Sequence, residues 1–188
     1  MKEKVPPFCI QKSEGGWCFL FSILIVLLAV FFALIEIEIE GDCGWAECLP
    51  TPNLTSSKRS LTLYHVFMAI FLLLVLNSLF FIKPKKFTWK NFLYSLSMLL
   101  LLFTLEDLFW FILNPHFKIQ NISKAWWHFR IGSVPVIYVI LPLLAAFLAG
   151  IAGYINVFWK NLVVMFGGVG VIVLLAPLYH RFYSYMHP

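Results

Sequence analysis

The sequence predicts an all-α integral membrane protein, a polytopic helical bundle of about five transmembrane helices. Of its 188 residues, 61% are hydrophobic and 12% are charged, whereas a soluble domain carries about 25% charged residues. The 20 Phe and 7 Trp residues suit contact with lipid and with the membrane interface. Five runs reach the roughly 20 apolar residues that a hydrocarbon core requires. We therefore expect the bilayer to be the solvent of this chain.

The five predicted helices form a single transmembrane domain over residues 1–188. They cover residues 17–35, 61–82, 92–113, 134–158 and 162–179. The first run is longer than the core of a signal peptide, which has about 7–15 residues, and no small-residue cleavage site follows it. The fourth contains Pro135 and Pro142, which predict a tilt or a kink. The fifth is barely long enough after a short link at 159–161, so a four-helix arrangement with a re-entrant last segment is the alternative.

Small residues predict where helices approach each other closely. They are Ala146, Ala149, Gly150 and Gly153 in the fourth helix and Gly167, Gly168 and Gly170 in the fifth. Such residues let two backbones come together in lipid, where apolar burial gives no drive for helix association. The Ala146/Gly150/Gly153 face and the Gly167/Gly168 face are therefore candidates for contact in a homo-oligomer or a membrane complex. The other expected partners are membrane lipids.

The distribution of lysines predicts the orientation of the bundle. The loop 83–91 contains no acidic residue and contains four lysines, which are Lys83, Lys85, Lys86 and Lys90. We expect this loop to be cytoplasmic and to attract anionic lipid. The N-terminus is then cytoplasmic and the C-terminus outside, although the full set of basic residues favours this orientation only narrowly. The net charge of +5 is dispersed and forms no basic and aromatic face, so nucleic acid is not an expected partner.

The predicted outer loop 36–60 carries support for that orientation. Cys43 and Cys48 are a candidate disulfide, and Asn53 begins the glycosylation sequon Asn-Leu-Thr. Both modifications require the non-cytoplasmic side of the membrane. Reduced thiols and an unmodified asparagine are the alternatives. The alternating Ile and Glu residues of 35–40 predict either a short strand or a continuation of the first helix, with a solvated acidic face in both cases.

Glu106 and Asp107 are the strongest functional signal, because they are adjacent carboxylates in the otherwise apolar segment 92–113. Ionised carboxylates at that depth are costly, so membrane segments rarely carry them without a partner or a task. The structural interpretation pairs one of them with Arg130 or Lys124 as the outer interfacial loop 114–133 folds back. It favours a structural or accessory protein with a polar cluster at the outer leaflet.

The first alternative is a membrane-embedded enzyme that acts on a lipid or a small apolar substrate. Its candidate catalytic residues are Glu106, Asp107, His116, His128 and Arg130. Its candidate metal ligands are Glu106, His65, His116, His128 and His180. Imidazoles with a carboxylate suit Zn, Fe or Cu, but no known metal signature is present, so the default expectation is no metal.

The second alternative is a component that transports protons or small solutes. Its path would continue from Glu106 and Asp107 past Asn77 or Ser97. No nucleophile elbow, phosphate-binding loop or dinucleotide fingerprint occurs in the sequence. Neither alternative can therefore be assigned a substrate from motifs.

Overall fold

The computed structural model shows an all-α fold, which confirms the predicted fold class. It describes residues 16–40, 63–82, 88–116, 130–131 and 134–187, and five helices occur among them. These helices are α1 (Gly16–Glu40), α2 (Leu63–Ile82), α3 (Trp89–Leu113), α4 (Ile137–Ala152) and α5 (Ile155–Met186). Two very short antiparallel strands, β1 (Arg130–Ile131) and β2 (Val134–Pro135), form a hairpin that precedes α4.

Three of these helices are long and apolar enough to cross a membrane. They are α1 over Phe19–Ile39, α3 over Trp89–Leu113 and α5 over Ile155–Met186. The apolar stretches of the other two, Leu63–Ser78 and Ile137–Ala152, are shorter. The 16 residues of α4 rise about 24 Å, less than a hydrocarbon core of about 30 Å. By length and composition the chain is therefore suited to integration in a membrane.

Helix α3 is the centre of the bundle and contacts each of the other four helices. Its Met98, Leu102 and Phe109 are completely buried. Helix α5 is different, because only 11% of its most apolar stretch is buried inside the bundle. The corresponding value for α3 is 56%. Phe166 and Leu174, for example, are exposed. An apolar surface of this extent is stable when lipid covers it.

Consecutive helices run in opposite directions, so α1, α3 and α5 end on the same side of the bundle. On that side Oε2 of Glu38 in α1 lies 3.6 Å from Nε2 of His187, the residue that follows α5. We call it the acidic side, after Glu36 and Glu38. The opposite side, where α3 and α5 begin, carries Lys90 and Lys160, and we call it the basic side.

The observed boundary between α4 and α5 differs from the prediction. The segment 159–161, predicted to link them, lies inside α5, and the chain reverses direction at Gly153 and Tyr154 instead. Gly153 has a φ of +81°, a left-handed conformation that favours glycine and ends helices. Its N–H bonds to the carbonyl oxygens of Ala149 and Gly150. The last helix is therefore continuous over 32 residues, and the re-entrant alternative is not supported.

Other boundaries also differ. Helix α1 continues to Glu40, so the Ile and Glu alternation of 35–40 is helical and the predicted loop 36–60 begins later. Helix α3 begins at Trp89, because the Thr88 side chain caps it by accepting a hydrogen bond from the N–H of Asn91. Pro135 lies in β2 and only Pro142 lies within α4, which begins at Ile137 rather than 134.

The small residues that were predicted to mark close helix contacts differ from one another in their surroundings. A Cβ atom on Gly168 would lie 2.9 Å from Cγ1 of Val26, so Gly168 marks a close approach of α5 to α1. Ala149 is buried within the bundle. Gly150, Gly167 and Gly170 have open space around the position of a Cβ atom.

We predict that Gly168→Ala lowers stability relative to Gly170→Ala. Both changes raise helix propensity equally, but only the first forces a methyl group against the stiff, β-branched Val26. The difference between the two variants should be about 1–3 kcal/mol, the usual cost of overpacking. Thermal unfolding in mild detergent measures it. Equal melting temperatures would show that α1 and α5 are not in close contact at this point.

Candidate functional site

The two carboxylates predicted to carry function lie in the C-terminal half of α3. Glu106 is buried, with 7% of its surface exposed, and Asp107 is half-buried. A rise of 1.5 Å per residue places Glu106 about 10 Å inward of the helix end at Leu113. Trp110, which is 3% exposed, lies one turn further along the same face. The carboxylate of Glu106 is thus inside the bundle rather than at its rim.

The beginning of α4 lies level with these carboxylates. The Ser97 hydroxyl of α3 donates a hydrogen bond of 2.7 Å to the carbonyl oxygen of Ala145 in α4, and the two helices are antiparallel. Glu106 is therefore level with the first turn of α4. There the Tyr138 hydroxyl is within electrostatic range of both carboxylates, with Asp107 the stronger influence.

The first turn of α4 also contributes backbone electrostatics. Val136 precedes the helix and its side chain makes no capping hydrogen bond. Such a helix start presents the positive end of the helix dipole, a favourable neighbourhood for negative charge. Two carboxylates, a phenol and a helix N-terminus thus share one level of the bundle. These groups can hold or move a proton, or form an ion pair.

The described candidate histidines, His65, His116 and His180, lie on the acidic side. The His116 ring contacts the Tyr183 ring, with centroids 5.6 Å apart. Nε2 of His180 lies 3.1 Å from the carbonyl oxygen of Ile112, which ties α5 to the end of α3. His65, in the first turn of α2, makes a ring contact with its neighbour Tyr64.

The sequence reasoning missed the two connections that carboxylates of α1 make on this side. The Tyr64 hydroxyl of α2 donates a hydrogen bond of 3.1 Å to Oε1 of Glu36. His187, which stacks on Tyr183 at 4.3 Å, pairs with Glu38. The Ile and Glu alternation was the available signal, because it extends α1 far enough to reach other helices. Its glutamates are therefore more than a solvated face.

The predicted metal and catalytic set is only partly within the described residues. No three His, Cys, Asp or Glu side chains come together around one point in the parts of the chain that the structure describes. His128 and Lys124 lie outside those parts, and only the backbone of Arg130 is described. Zn, Fe or Cu binding therefore stays a prediction. Cys43, Cys48 and Asn53 also lie outside the described residues, so the disulfide and the glycan stay predictions too.

A second polar cluster, which we call the Asn–Tyr cluster, lies on the basic side and was not predicted. The Tyr154 hydroxyl donates a hydrogen bond of 2.7 Å to Oδ1 of Asn91. Nδ2 of Asn161 donates one of 2.6 Å to the Tyr94 hydroxyl. The two tyrosine rings meet edge to face at 5.3 Å. Burial raises the pKa of Tyr154 above its ordinary value of 10.0, so its hydroxyl stays a neutral donor.

A recurring tripeptide was the sequence signal for this cluster. Trp-Lys-Asn occurs at 89–91 and again at 159–161. In both copies the Asn is buried in the cluster, whereas the Trp and the Lys are exposed. The tripeptide is too short to stand out until the structure places both copies on the same side.

Comparisons with protein-family models, with curated proteins and with solved structures find no match. The geometry of the two polar clusters is therefore the basis for the functional argument.

We predict that Tyr154→Phe destabilises the fold, because it removes the donor to the buried Oδ1 of Asn91. The loss should be about 0.6–1.7 kcal/mol, the range for hydrogen bonds between membrane helices. Tyr185→Phe is the matched control, since Tyr185 is 82% exposed. Unfolding by titration with a denaturing detergent compares them. If both variants unfold like the wild type, the Asn–Tyr cluster does not stabilise the bundle.

Proposed function

We propose that this chain is a multi-pass membrane protein with a structural or accessory role, in which polar side chains tie its five helices together. One observation carries the proposal: at five contacts, a polar side chain of one element bonds to a partner on another element of the same chain. These bonds run from Tyr64 to Glu36, Ser97 to Ala145, Tyr154 to Asn91, Asn161 to Tyr94 and His180 to Ile112.

The membrane explains why such bonds matter. A polar group left unbonded in hydrocarbon costs several kcal/mol, so each of these groups needs a partner within the protein. The five bonds are distributed over both sides and the middle of the bundle, and they set the level of each helix against its neighbour. Groups engaged in this way hold helices in place and are not free to bind a substrate.

The same role extends to the carboxylates of α3 through Arg130. The backbone of Arg130 pairs with Pro135 across the hairpin, and Pro135 lies just before the first turn of α4. Tyr138 in that turn is within electrostatic range of Glu106 and Asp107. We propose that Arg130 is their counter-charge and ties the hairpin to α3.

The orientation proposed for the protein has the N-terminus in the cytoplasm and the C-terminus outside. Among the described residues, Lys90 and Lys160 both lie on the basic side. Lysines concentrate on the cytoplasmic side of membrane proteins. Arg181 on the acidic side offsets part of this asymmetry, so the proposed orientation depends mainly on the four lysines of the loop 83–91.

We predict that a membrane-impermeant maleimide labels Arg181→Cys, but not Lys90→Cys, in intact cells of a cysteine-free variant. Both positions are exposed and they lie on opposite sides of the bundle. Lysis should make both reactive. The reverse pattern would invert the orientation, and labelling of both in intact cells would contradict a membrane-spanning fold.

A second candidate function is acid–base chemistry or proton movement at Glu106 and Asp107. One observation favours it, namely that Glu106 is 7% exposed well inside α3 while a phenol, Tyr138, is in range of both carboxylates. A carboxylate held away from water, near a second acid and a hydroxyl, is a common arrangement for proton transfer.

The variants Glu106→Gln and Arg130→Gln separate the two candidates. If the two residues form an ion pair, each single variant should lose about 3–5 kcal/mol of stability, the usual cost of breaking a buried pair. The double variant should recover part of that loss, because the buried carboxylate of Glu106 and its counter-charge are removed together. Chemical unfolding in detergent gives these values.

Proton flux into liposomes that contain each variant completes the experiment. A Glu106→Gln variant with wild-type stability and no flux, beside a wild type that conducts, would contradict the structural role and support the second candidate. A loss of stability that the double variant does not recover would rule out Arg130 as the counter-charge.

A further inference from the structure

The two copies of Trp-Lys-Asn are held in matching positions by the Asn–Tyr cluster. The first copy begins α3, and the second lies near the beginning of α5. Asn91 of the first accepts a bond from Tyr154, directly before α5, and Asn161 of the second donates to Tyr94 of α3. Each copy is thus anchored to the helix that carries the other, and both lie on the basic side.

Helix geometry then decides where the other two residues of each copy point. Consecutive residues are about 100° apart around a helix, so an inward Asn leaves the Trp two positions earlier on the outward face. Trp89 is 66% exposed and Trp159 is 53% exposed. Lys90 and Lys160 are exposed as well. The basic side therefore presents two outward Trp-Lys pairs, which we call the Trp-Lys rim.

Among the described residues, the charges around this rim have a single sign. The acidic residues among those that the structure describes lie in the C-terminal parts of α1 and α3, away from the rim; they are Glu36, Glu38, Glu40, Glu106 and Asp107. The starts of α3 and α5 also direct the positive ends of two helix dipoles toward this side. The rim is consequently complementary to an anion that lies at the membrane surface.

We infer that the Trp-Lys rim binds the headgroups of anionic phospholipids in the adjacent leaflet. This inference rests on the proposed function, because it requires that the chain spans a membrane. Tryptophan rings settle at the level of the headgroups, and the neighbouring ammonium groups of Lys90 and Lys160 meet the phosphates there. The two positions fixed by the Asn–Tyr cluster make the lipid contact a defined feature of the fold.

Native mass spectrometry of the detergent-purified full chain, titrated with phosphatidylglycerol or phosphatidylcholine, tests the inference. Each lysine near an anionic surface contributes about 1 kcal/mol, which is about a five-fold change in affinity. Lys90→Gln/Lys160→Gln should therefore weaken phosphatidylglycerol binding about 30-fold and leave phosphatidylcholine binding unchanged. Lys90→Arg/Lys160→Arg, which keeps both charges, should bind like the wild type. The lysines at 83, 85 and 86 stay in place in every variant.

Arg181→Gln is the control for the location of the site, because Arg181 is an exposed cation near the end of α5 on the acidic side. It should retain phosphatidylglycerol binding. Wild-type binding by the double glutamine variant, or an equal loss in Arg181→Gln, would overturn the inference. Extraction of the wild type from membranes by alkaline carbonate is measured in parallel. Extraction of the wild type would overturn the proposed function as well. If the wild type stays integrated but binds phosphatidylglycerol no better than the double glutamine variant does, the inference alone is overturned.

Discussion

The arrangement of the bundle depends on the two buried hydrogen bonds of the Asn–Tyr cluster. They join residues far apart in the chain, Asn91 with Tyr154 and Tyr94 with Asn161, at the point where α4 turns into α5. In a low-dielectric interior an unbonded amide or phenol is costly, so each of these groups holds its partner in place. The bonds fix the turn at Gly153 against the start of α3. That turn sets the ends of both α4 and α5.

A fixed turn has a consequence at the far end of α4. Because α4 has only 16 residues, it does not extend as far toward the acidic side as α3 does. It begins level with Glu106 and Asp107. The hairpin therefore joins the bundle at the depth of the carboxylates. Irregular backbone at such a depth is tolerated only where protein or water satisfies it. The carboxylates and Tyr138 lie at the same level, so polar side chains are present at the depth where this backbone enters the bundle.

After the same turn, α5 continues as one helix of 32 residues. Its length of about 48 Å exceeds a hydrocarbon core of about 30 Å. Its middle exposes a largely apolar surface, and its length is sufficient to span such a core. At one end His180 and His187 contact α3 and α1. At the other, Trp159 and Lys160 face outward beside the matching pair of α3. The placement of α5 thus accounts both for its polar contacts with other helices and for the apolar surface that it exposes to the outside.

The sequence by itself determined the all-α class, the five helices that occur among the described residues and the end of α3 at Leu113, since hydropathy and segment length are local properties. It also identified Glu106 as exceptional, because a carboxylate in an apolar run is visible without a structure. Only the tertiary structure decided where α4 ends and which Asn faces inward. Gly153, with a φ of +81°, ends α4 inside an apolar run, and the next residue, Tyr154, pairs with Asn91, 63 residues away. Hydropathy contains no record of such a partner. The direction of a side chain depends on the neighbouring helix, so the Trp-Lys rim also became visible only in three dimensions.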